Sequence, residues 1–196
     1  HFSKEKIDNL DKIYRLNLDG SVPFDNPFVT LNGAKSGIFS YGHRNPQGLA
    51  IHPITGVLWE HEHGPRGGDE INLPKKGKNY GWPEITYGIN YIGTKITDET
   101  EKDGLEQPIY HWTPSIAPSG MTFLNSEVYP EWKNNLFVGS LKFQYLERLI
   151  IDNEKVIYRE KLFDKVGRVR CVKMGPKGFL YFTVENKGLY KIYPIK

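Results

Sequence analysis

The stretch HEHGPRGGDE, residues 61–70, combines residue types that could bind a metal ion. His61 and His63 alternate, so in a β-strand they lie on one face, and Glu60 and Glu62 lie on the other face. Zinc needs three or four ligands, mostly nitrogen or sulfur, in a tetrahedral arrangement. The two histidines could supply two of these ligands, but the adjoining turn contains no third histidine or cysteine. A zinc-dependent hydrolase is therefore the weaker interpretation of this stretch.

The turn that follows the histidines offers oxygen ligands instead. An irregular Gly64-Pro65 turn frees backbone carbonyl groups, and the carboxylates of Asp69 and Glu70 follow it closely. Calcium binds carbonyl and carboxylate oxygens readily. The sequence therefore favours a hard cation over zinc at this turn.

A second polar group, Arg44, Asn45 and Gln47, lies in YGHRNPQG, residues 41–48, just before an apolar run. The guanidinium of Arg44 presents a fixed fork of donors and Asn45 adds an amide, which suits a carboxylate or a quinone oxygen. In isolation, a plain loop in which Asn-Pro caps a turn is the more common explanation of such residues.

Three basic residues in the second half of the chain could bind an anion. Arg168 and Arg170 alternate in GRVRCV and so share one face of a strand, where they repel each other unless an anion lies between them. A salt-bridged pair on the surface explains the two arginines equally well. Lys142 ends the apolar run in GSLK, where a lone lysine is normally solvated.

The elements that must position these residues are β-strands. Short runs rich in β-branched and aromatic residues alternate with tight-turn signals, and no long segment keeps a helical period. The chain is therefore predicted to be all-β, with some short helix near residues 5–12. Within it, GLAIHPITGVLWEHEHG and VRCVKMGPKGFLYFTVEN repeat one pattern of strand, Pro-containing turn and strand, and GMTFLNSEVYPEWKNNLFVGSLK is a looser copy.

A further strand follows each of these pairs, as in the blades of a β-propeller, although a β-sandwich also contains many short strands. In a propeller, the three basic residues are expected at matching inner-strand positions of successive blades, where they form a pocket for a polyanion. KIYRLNLDG is interpreted as the outer strand of an incomplete blade. Residues 82–115 are interpreted as a long functional insertion between blades.

Composition and charge exclude several classes of function. The chain has 196 residues with 26 basic and 23 acidic side chains, and a net charge of +3 gives no reason to expect a nucleic-acid partner. Cys171 is the only cysteine, so no intrachain disulfide can form. No apolar run reaches the roughly 18 residues of a membrane span. Because the chain begins at His1, we expect it to start inside a longer polypeptide, and a processed terminus is the alternative.

The motifs YGHRNPQGLA, EHGPRGGDEINLPKKGKNYGWP, SGMTF, GSLK and GRVR resemble, in order and spacing, those of the soluble quinoprotein aldose sugar dehydrogenases. These proteins belong to the glucose/sorbosone dehydrogenase family of six-bladed β-propellers. The resemblance covers essentially the whole chain, and the long motif through NYGWP is its most specific part. It implies that residues 1–196 form a single partial propeller domain, roughly three blades from the C-terminal half of a family member.

The resemblance also implies a cofactor, a metal and a reaction. Pyrroloquinoline quinone (PQQ) is the cofactor, calcium activates it, and an aldose is oxidised at its anomeric carbon to a lactone by hydride transfer to calcium-bound PQQ. An external electron acceptor and a periplasmic or secreted location are implied as well. By position, the residues near the cofactor and the sugar would be Arg44, Asn45, Gln47, Tyr110, Trp112, Ser115, Lys142, Arg168 and Arg170. The calcium ligands would be the carbonyls of Gly64 and Pro65, together with Glu70 and Tyr80.

Two departures from the family pattern bear on activity. Cys171 stands where relatives usually have aspartate after Arg-x-Arg, which removes a partner of the arginines. The family's histidine base lies in blades upstream of this chain, and no histidine here matches it, including His43 beside the site. The chain alone is therefore expected to be inactive and to associate with its missing blades or with a second copy. The alternative function is a non-catalytic propeller that binds a glycan or a protein partner.

Overall fold

A computed structural model describes residues 12–194, and the helix expected near residues 5–12 falls almost wholly outside this range. Strands, turns and loops make up nearly all of the described residues, which confirms the all-β prediction. No helix in this range is long and apolar enough to cross a membrane. The strands are β1 (Lys12–Tyr14), β2 (Ile38–Tyr41), β3 (Pro46–Ile51), β4 (Leu58–Glu62), β5 (Asp69–Asn72), β6 (Tyr110–Trp112), β7 (Pro118–Phe123), β8 (Leu136–Ser140), β9 (Leu146–Asp152), β10 (Lys155–Leu162), β11 (Val169–Met174), β12 (Leu180–Val184) and β13 (Gly188–Lys191). Short 3-10 turns at Pro130–Trp132 and Pro176–Gly178 connect β7 to β8 and β11 to β12.

The strands form antiparallel sheets in which neighbours in the sheet are also neighbours in the chain. We name the sheet β3-β4-β5-β6 blade I, the sheet β7-β8-β9-β10 blade II, and the sheet β11-β12-β13 blade III, and β1 pairs with β2 in a separate sheet. The first strands of the three blades pack together, with β7 between β3 and β11. Repeated meanders joined at their first strands are the architecture of a β-propeller, so the predicted fold is confirmed.

The hydrophobic core lies between the faces of successive blades. Trp59 of blade I packs with Phe123 of blade II, their rings 5.3 Å apart at 85°. Phe137 of blade II belongs to a second cluster with Val169 and Phe182 of blade III. Burying one side chain of this size contributes about 1.5–3 kcal/mol, so each blade depends on its neighbour for stability. The largest fully buried side chains are Trp59, Trp112, Tyr145, Phe137, Ile38, Ile71, Ile116, Met121, Leu124, Leu136, Leu146 and Leu149.

Gly120 on β7 allows the inner strands to approach closely. A Cβ atom at this position would lie 2.4 Å from the backbone nitrogen of Val172 on β11, closer than two such atoms can approach. On the other side of β7, the Nε2 atom of His63 lies 2.7 Å from the carbonyl oxygen of Pro118. Strand β7 is therefore in close contact with β11 of blade III and with His63, which follows β4 of blade I.

Three expectations about the elements need correction. The segment 82–115 is not only an insertion, because it contains β6, which pairs with β5 and completes blade I. In KIYRLNLDG only Lys12–Tyr14 is a strand, and it pairs with Ile38–Tyr41, a strand that the sequence reading missed. Lys142 follows the second strand of blade II and not the first, because GMTF already provides the inner strand β7.

Candidate functional site

The loop of residues 64–68, which we call the carbonyl loop, joins β4 to β5 and turns its amide groups into the protein. The amide of Gly64 donates to the carboxylate of Asp69 at 2.9 Å, and the amide of Gly67 donates to the hydroxyl of Ser115 at 2.9 Å. The other two amides donate to backbone carbonyls, from Arg66 to Ile89 at 3.0 Å and from Gly68 to Trp112 at 2.9 Å. Because proline has no N–H group, every amide donor of the loop is used, so a ligand can be bound only through carbonyl oxygens. Of these, the carbonyl of Arg66 already accepts the amide of Ile89 at 3.1 Å.

Arg44 ties the carbonyl loop to the turn before β3. Its Nη1 atom donates to the carbonyl oxygens of His63 at 2.8 Å and of Gly64 at 2.9 Å, and its guanidinium lies over the ring of Trp82. The carboxylate of Glu62 accepts hydrogen bonds from the amides of Arg44 and Asn45. Arg44 and the Gly-Pro turn, which are about twenty residues apart in sequence, are thus brought together.

A cavity of about 10 Å³ lies beneath this loop and is lined in part by Glu62, Gly64, Glu70 and Tyr80. A space of this size holds about one water molecule or one ion. Burial, followed by the charge of Glu62, raises the pKa of Glu70 to about 8. The hydroxyl of Tyr80 already donates to the carbonyl of Leu73, which leaves its backbone carbonyl as a possible ligand. Buried carboxyl and carbonyl oxygens around a small cavity fit a calcium ion.

Arg168 and Arg170 share one carboxylate oxygen. The Nε atom of Arg168 donates to Oε2 of Glu185 at 2.6 Å, and Nη2 of Arg170 donates to the same atom at 2.9 Å. The hydrogen bond from Arg168 is the main cause that lowers the pKa of Glu185. The two arginines and Glu185 thus form a salt-bridged group on the surface, which was the alternative to an anion pocket.

The other basic and polar residues predicted for the site lie at exposed positions. Gln47 donates through its amide to the side-chain oxygen of Asn45 at 2.9 Å, and both residues are exposed. Lys142 is exposed in the turn after β8, with its ammonium group 5.2 Å from the ring centre of Phe143. These side chains are free to turn toward a ligand, whereas Arg44 is held in place.

The side chains of Tyr110 and Trp112 lie away from this group on β6, the outermost strand of blade I, and only the backbone carbonyl of Trp112 touches the carbonyl loop, at Gly68. Trp112 is 1% exposed and its indole nitrogen donates to the carboxylate of Glu147 at 2.9 Å. The hydroxyl of Tyr110 accepts a hydrogen bond from Arg159 at 3.3 Å. Both residues thus pack against the outer strands of blade II, and the expectation that they line the mouth of the site does not fit this geometry. Ser115 does reach the site, because its hydroxyl holds the carbonyl loop.

His61 and His63 do not form the zinc site considered from the sequence. His61 is fully buried, and burial together with the nearby His63 lowers its pKa to about 3, so that it is neutral. Across residues 12–194, the one group of three histidine, cysteine or carboxylate side chains whose ligand atoms converge consists of His43, Glu60 and Glu62, which the sequence did not predict. Two glutamates at alternate positions of a strand were the available signal, since they had to share a face.

The repeated antiparallel sheets, which pack together at their first strands, define this chain as part of a β-propeller protein. Residues 3–191 match the family model "Glucose / Sorbosone dehydrogenase", and the chain belongs to this family. It is 46% identical to "Aldose sugar dehydrogenase YliI" of Escherichia coli K12, over 97% of this chain and 53% of that protein. The chain thus spans about half the length of this relative.

Solved structures show the same likeness. A structure titled "Crystal structure of glucose dehydrogenase" superposes with a TM-score of 0.94 at 44% identity, covering 98% of this chain and 57% of that one. The PQQ-bound form of an aldose sugar dehydrogenase from Streptomyces coelicolor superposes with a TM-score of 0.68 at 29% identity, covering 90% of this chain and 46% of that one.

Proposed function

We propose that this chain is the C-terminal part of a PQQ- and calcium-dependent dehydrogenase that oxidises aldoses at the anomeric carbon to lactones. The observation that carries the proposal is the carbonyl loop, whose amides are all used inside the protein and whose Gly64 carbonyl meets Arg44 at 2.9 Å. Membership of the dehydrogenase family and the PQQ bound to one structural neighbour support it further.

When bound, PQQ supplies the redox chemistry by accepting a hydride, and the protein supplies binding and orientation. Arg168, Arg170 and Lys142 would hold the carboxylates of PQQ through charge-assisted hydrogen bonds. Arg44 and Asn45 would hold an oxygen of the quinone, since the turn that carries them is tied to Glu62 through two backbone amides. Gln47, exposed beside Asn45, would add an amide at the same turn.

Calcium would be held near PQQ by the carbonyl oxygens of Gly64 and Pro65, and acts there as a Lewis acid. Glu70 and the carbonyl of Tyr80 would hold a calcium ion in the cavity beneath the loop. The aldose, an external electron acceptor and a periplasmic or secreted location complete the proposal. A propeller that binds a glycan or a protein without turnover is the alternative.

Cofactor reconstitution tests this function. The protein that contains this chain with a complete set of blades is stripped with a chelator, then mixed with PQQ and either calcium or zinc. We expect PQQ binding, followed by its absorbance, and dye reduction with aldoses to return with calcium only. A thermal melt should also shift upward with calcium, because a ligand that binds only the folded state stabilises it. Recovery with zinc alone, or tight PQQ binding in the continued presence of chelator, would contradict the proposal.

A further inference from the structure

We propose that His43, Glu60 and Glu62 form a buried site for a divalent transition-metal ion, next to the calcium cavity that Glu62 also lines. The Nδ1 atom of His43 lies 3.5 Å from Oε1 of Glu62 and 3.9 Å from Oε2 of Glu60. One ligand atom from each of the three residues falls within 4.8 Å of the others. The side chains of His43 and Glu60 are fully buried, and that of Glu62 is 4% exposed.

Several buried polar atoms in this cluster make no hydrogen bond. They are Nδ1 of His43, Oε1 of Glu60 and, beside them, Oδ1 of Asn72. Buried polar atoms in folded proteins almost always have a partner, so this group points to a missing ligand. The separations within it also suit a metal, because two ligands at about 2.1 Å from a tetrahedral ion lie roughly 3.4 Å apart.

The ring of His43 is held in the orientation that a metal ligand requires. Its Nε2 atom lies 2.8 Å from the hydroxyl of Ser40, which is fully buried, and its ring stacks on Tyr80 with centroids 4.3 Å apart. Metal-binding histidines usually donate their second nitrogen to such a partner. In the tautomer whose Nε2 donates to Ser40, the lone pair of Nδ1 faces the two carboxylates and can bind a metal ion.

The charges of Glu60 and Glu62 also favour a bound cation. In the part of the chain that the structure describes, the ion pairs of Glu60 and Glu62 are both with His43, and no lysine or arginine pairs with either. A divalent cation would compensate both carboxylates. An imidazole nitrogen among the ligands favours a first-row transition ion over calcium, which prefers oxygen alone.

This ion would act on the structure of the site and not on the reacting atoms. Oε1 of Glu62 faces His43, whereas its Oε2 accepts the amide of Asn45 at 2.9 Å. An ion bound to Oε1 would therefore fix the turn that carries Arg44 and Asn45. The inference rests on these side chains alone and does not depend on the proposed dehydrogenase function.

Metal titration of matched variants tests the site. The chelator-treated protein is titrated calorimetrically with Zn²⁺, Mn²⁺ and Ca²⁺ in separate experiments, as wild type, His43→Gln, Glu60→Gln and Glu70→Gln. We expect the wild-type protein to bind Zn²⁺ or Mn²⁺. His43→Gln and Glu60→Gln should each weaken that binding by about 10- to 100-fold or more, because the loss of even an outer-shell partner of a metal ligand lowers metal affinity by this factor. Glu70→Gln, which alters the neighbouring cavity, should weaken Ca²⁺ binding and change the binding of the transition ion by less than either ligand variant does.

A spectroscopic measurement on the wild-type protein covers the case in which these variants fail to fold. Mn²⁺ bound at the cluster should broaden the NMR signals of the His43 ring at one equivalent. Absence of transition-ion binding to wild type, or signals of His43 that stay sharp at saturation, would overturn the inference. If Glu70→Gln loses affinity for Zn²⁺ and His43→Gln does not, the ion lies in the calcium cavity, and this result would overturn the inference as well. None of these outcomes changes the expectation for PQQ and calcium.

Discussion

At the scale of single residues, the sequence predicted the arginine pair but not its partner. Alternation placed Arg168 and Arg170 on one face, and the repulsion between them required an anion. The anion is Glu185, which the pairing of Val169 with Val184 brings opposite the arginines. Strand register was needed to find it, and register is set by long-range pairing that a local pattern does not contain.

Removing either arginine should weaken cofactor binding. Arg168→Ala and Arg170→Ala each remove a charge-assisted hydrogen bond, which is worth about 1.5–3 kcal/mol, or roughly 10- to 150-fold in the dissociation constant of PQQ. Fluorescence titration of the complete propeller with PQQ measures this. Lys173→Ala, an exposed basic residue on the same strand, is the control and should bind PQQ normally. Equal affinities in all three variants would show that the arginines do not form the pocket.

Glu185 should compete with the cofactor for the two arginines. Its pKa is lowered, so it stays charged at neutral and mildly acidic pH and the arginines stay paired. Replacing it by Glu185→Gln removes a negative charge from a site that must accept three carboxylates. Since the pair is partly exposed, we expect PQQ to bind more tightly by no more than about fivefold. If Glu185→Gln binds PQQ more weakly and Glu185→Asp binds it as the wild type does, Glu185 instead aligns the two arginines for the cofactor.

At the scale of elements, the sequence predicted the oxygen-rich turn after β4 and not the residue that shapes it. Asp69 is 1% exposed, and its two carboxylate oxygens accept the amides of Gly64 at 2.9 Å and of Ala117 at 2.8 Å. It thereby holds the carbonyl loop against the segment that leads into β7. From the sequence, Asp69 looked like a calcium ligand because carboxylates after a Gly-Pro turn are typical of one.

Asp69→Asn should loosen the carbonyl loop. The asparagine NH2 group must face one of two amide donors, and leaving that donor unpaired costs about 1–3 kcal/mol. We expect the free energy of unfolding in urea to fall by this amount, and calcium affinity to fall with it. Asp152→Asn, at the exposed end of β9, is the matched control. Wild-type stability in Asp69→Asn would show that the carboxylate is not what holds the loop.

At the scale of the whole molecule, the repeat of strand, turn and strand was sufficient to predict the propeller, since each copy became part of one blade. It could not predict how the blades meet. The ring pair of Trp59 and Phe123, and the contact of Gly120 with β11, join residues of different blades. Such contacts depend on the packing of one sheet face on another, and the alternation within a single strand does not encode it.

The chain alone should not oxidise sugars, even with calcium and PQQ supplied, and it should associate. The base expected upstream takes the hydroxyl proton as hydride leaves, and such a group contributes about 10²–10⁴-fold. His43 cannot replace it, because it is fully buried. In residues 12–194, blade III has three strands where blades I and II have four. Phe24, beyond β1, is 92% exposed, and open edges and apolar faces promote association. Dye reduction with several aldoses, run beside light scattering, measures both properties. A monomer with substantial turnover would refute both expectations, since a complete site would then lie within this chain.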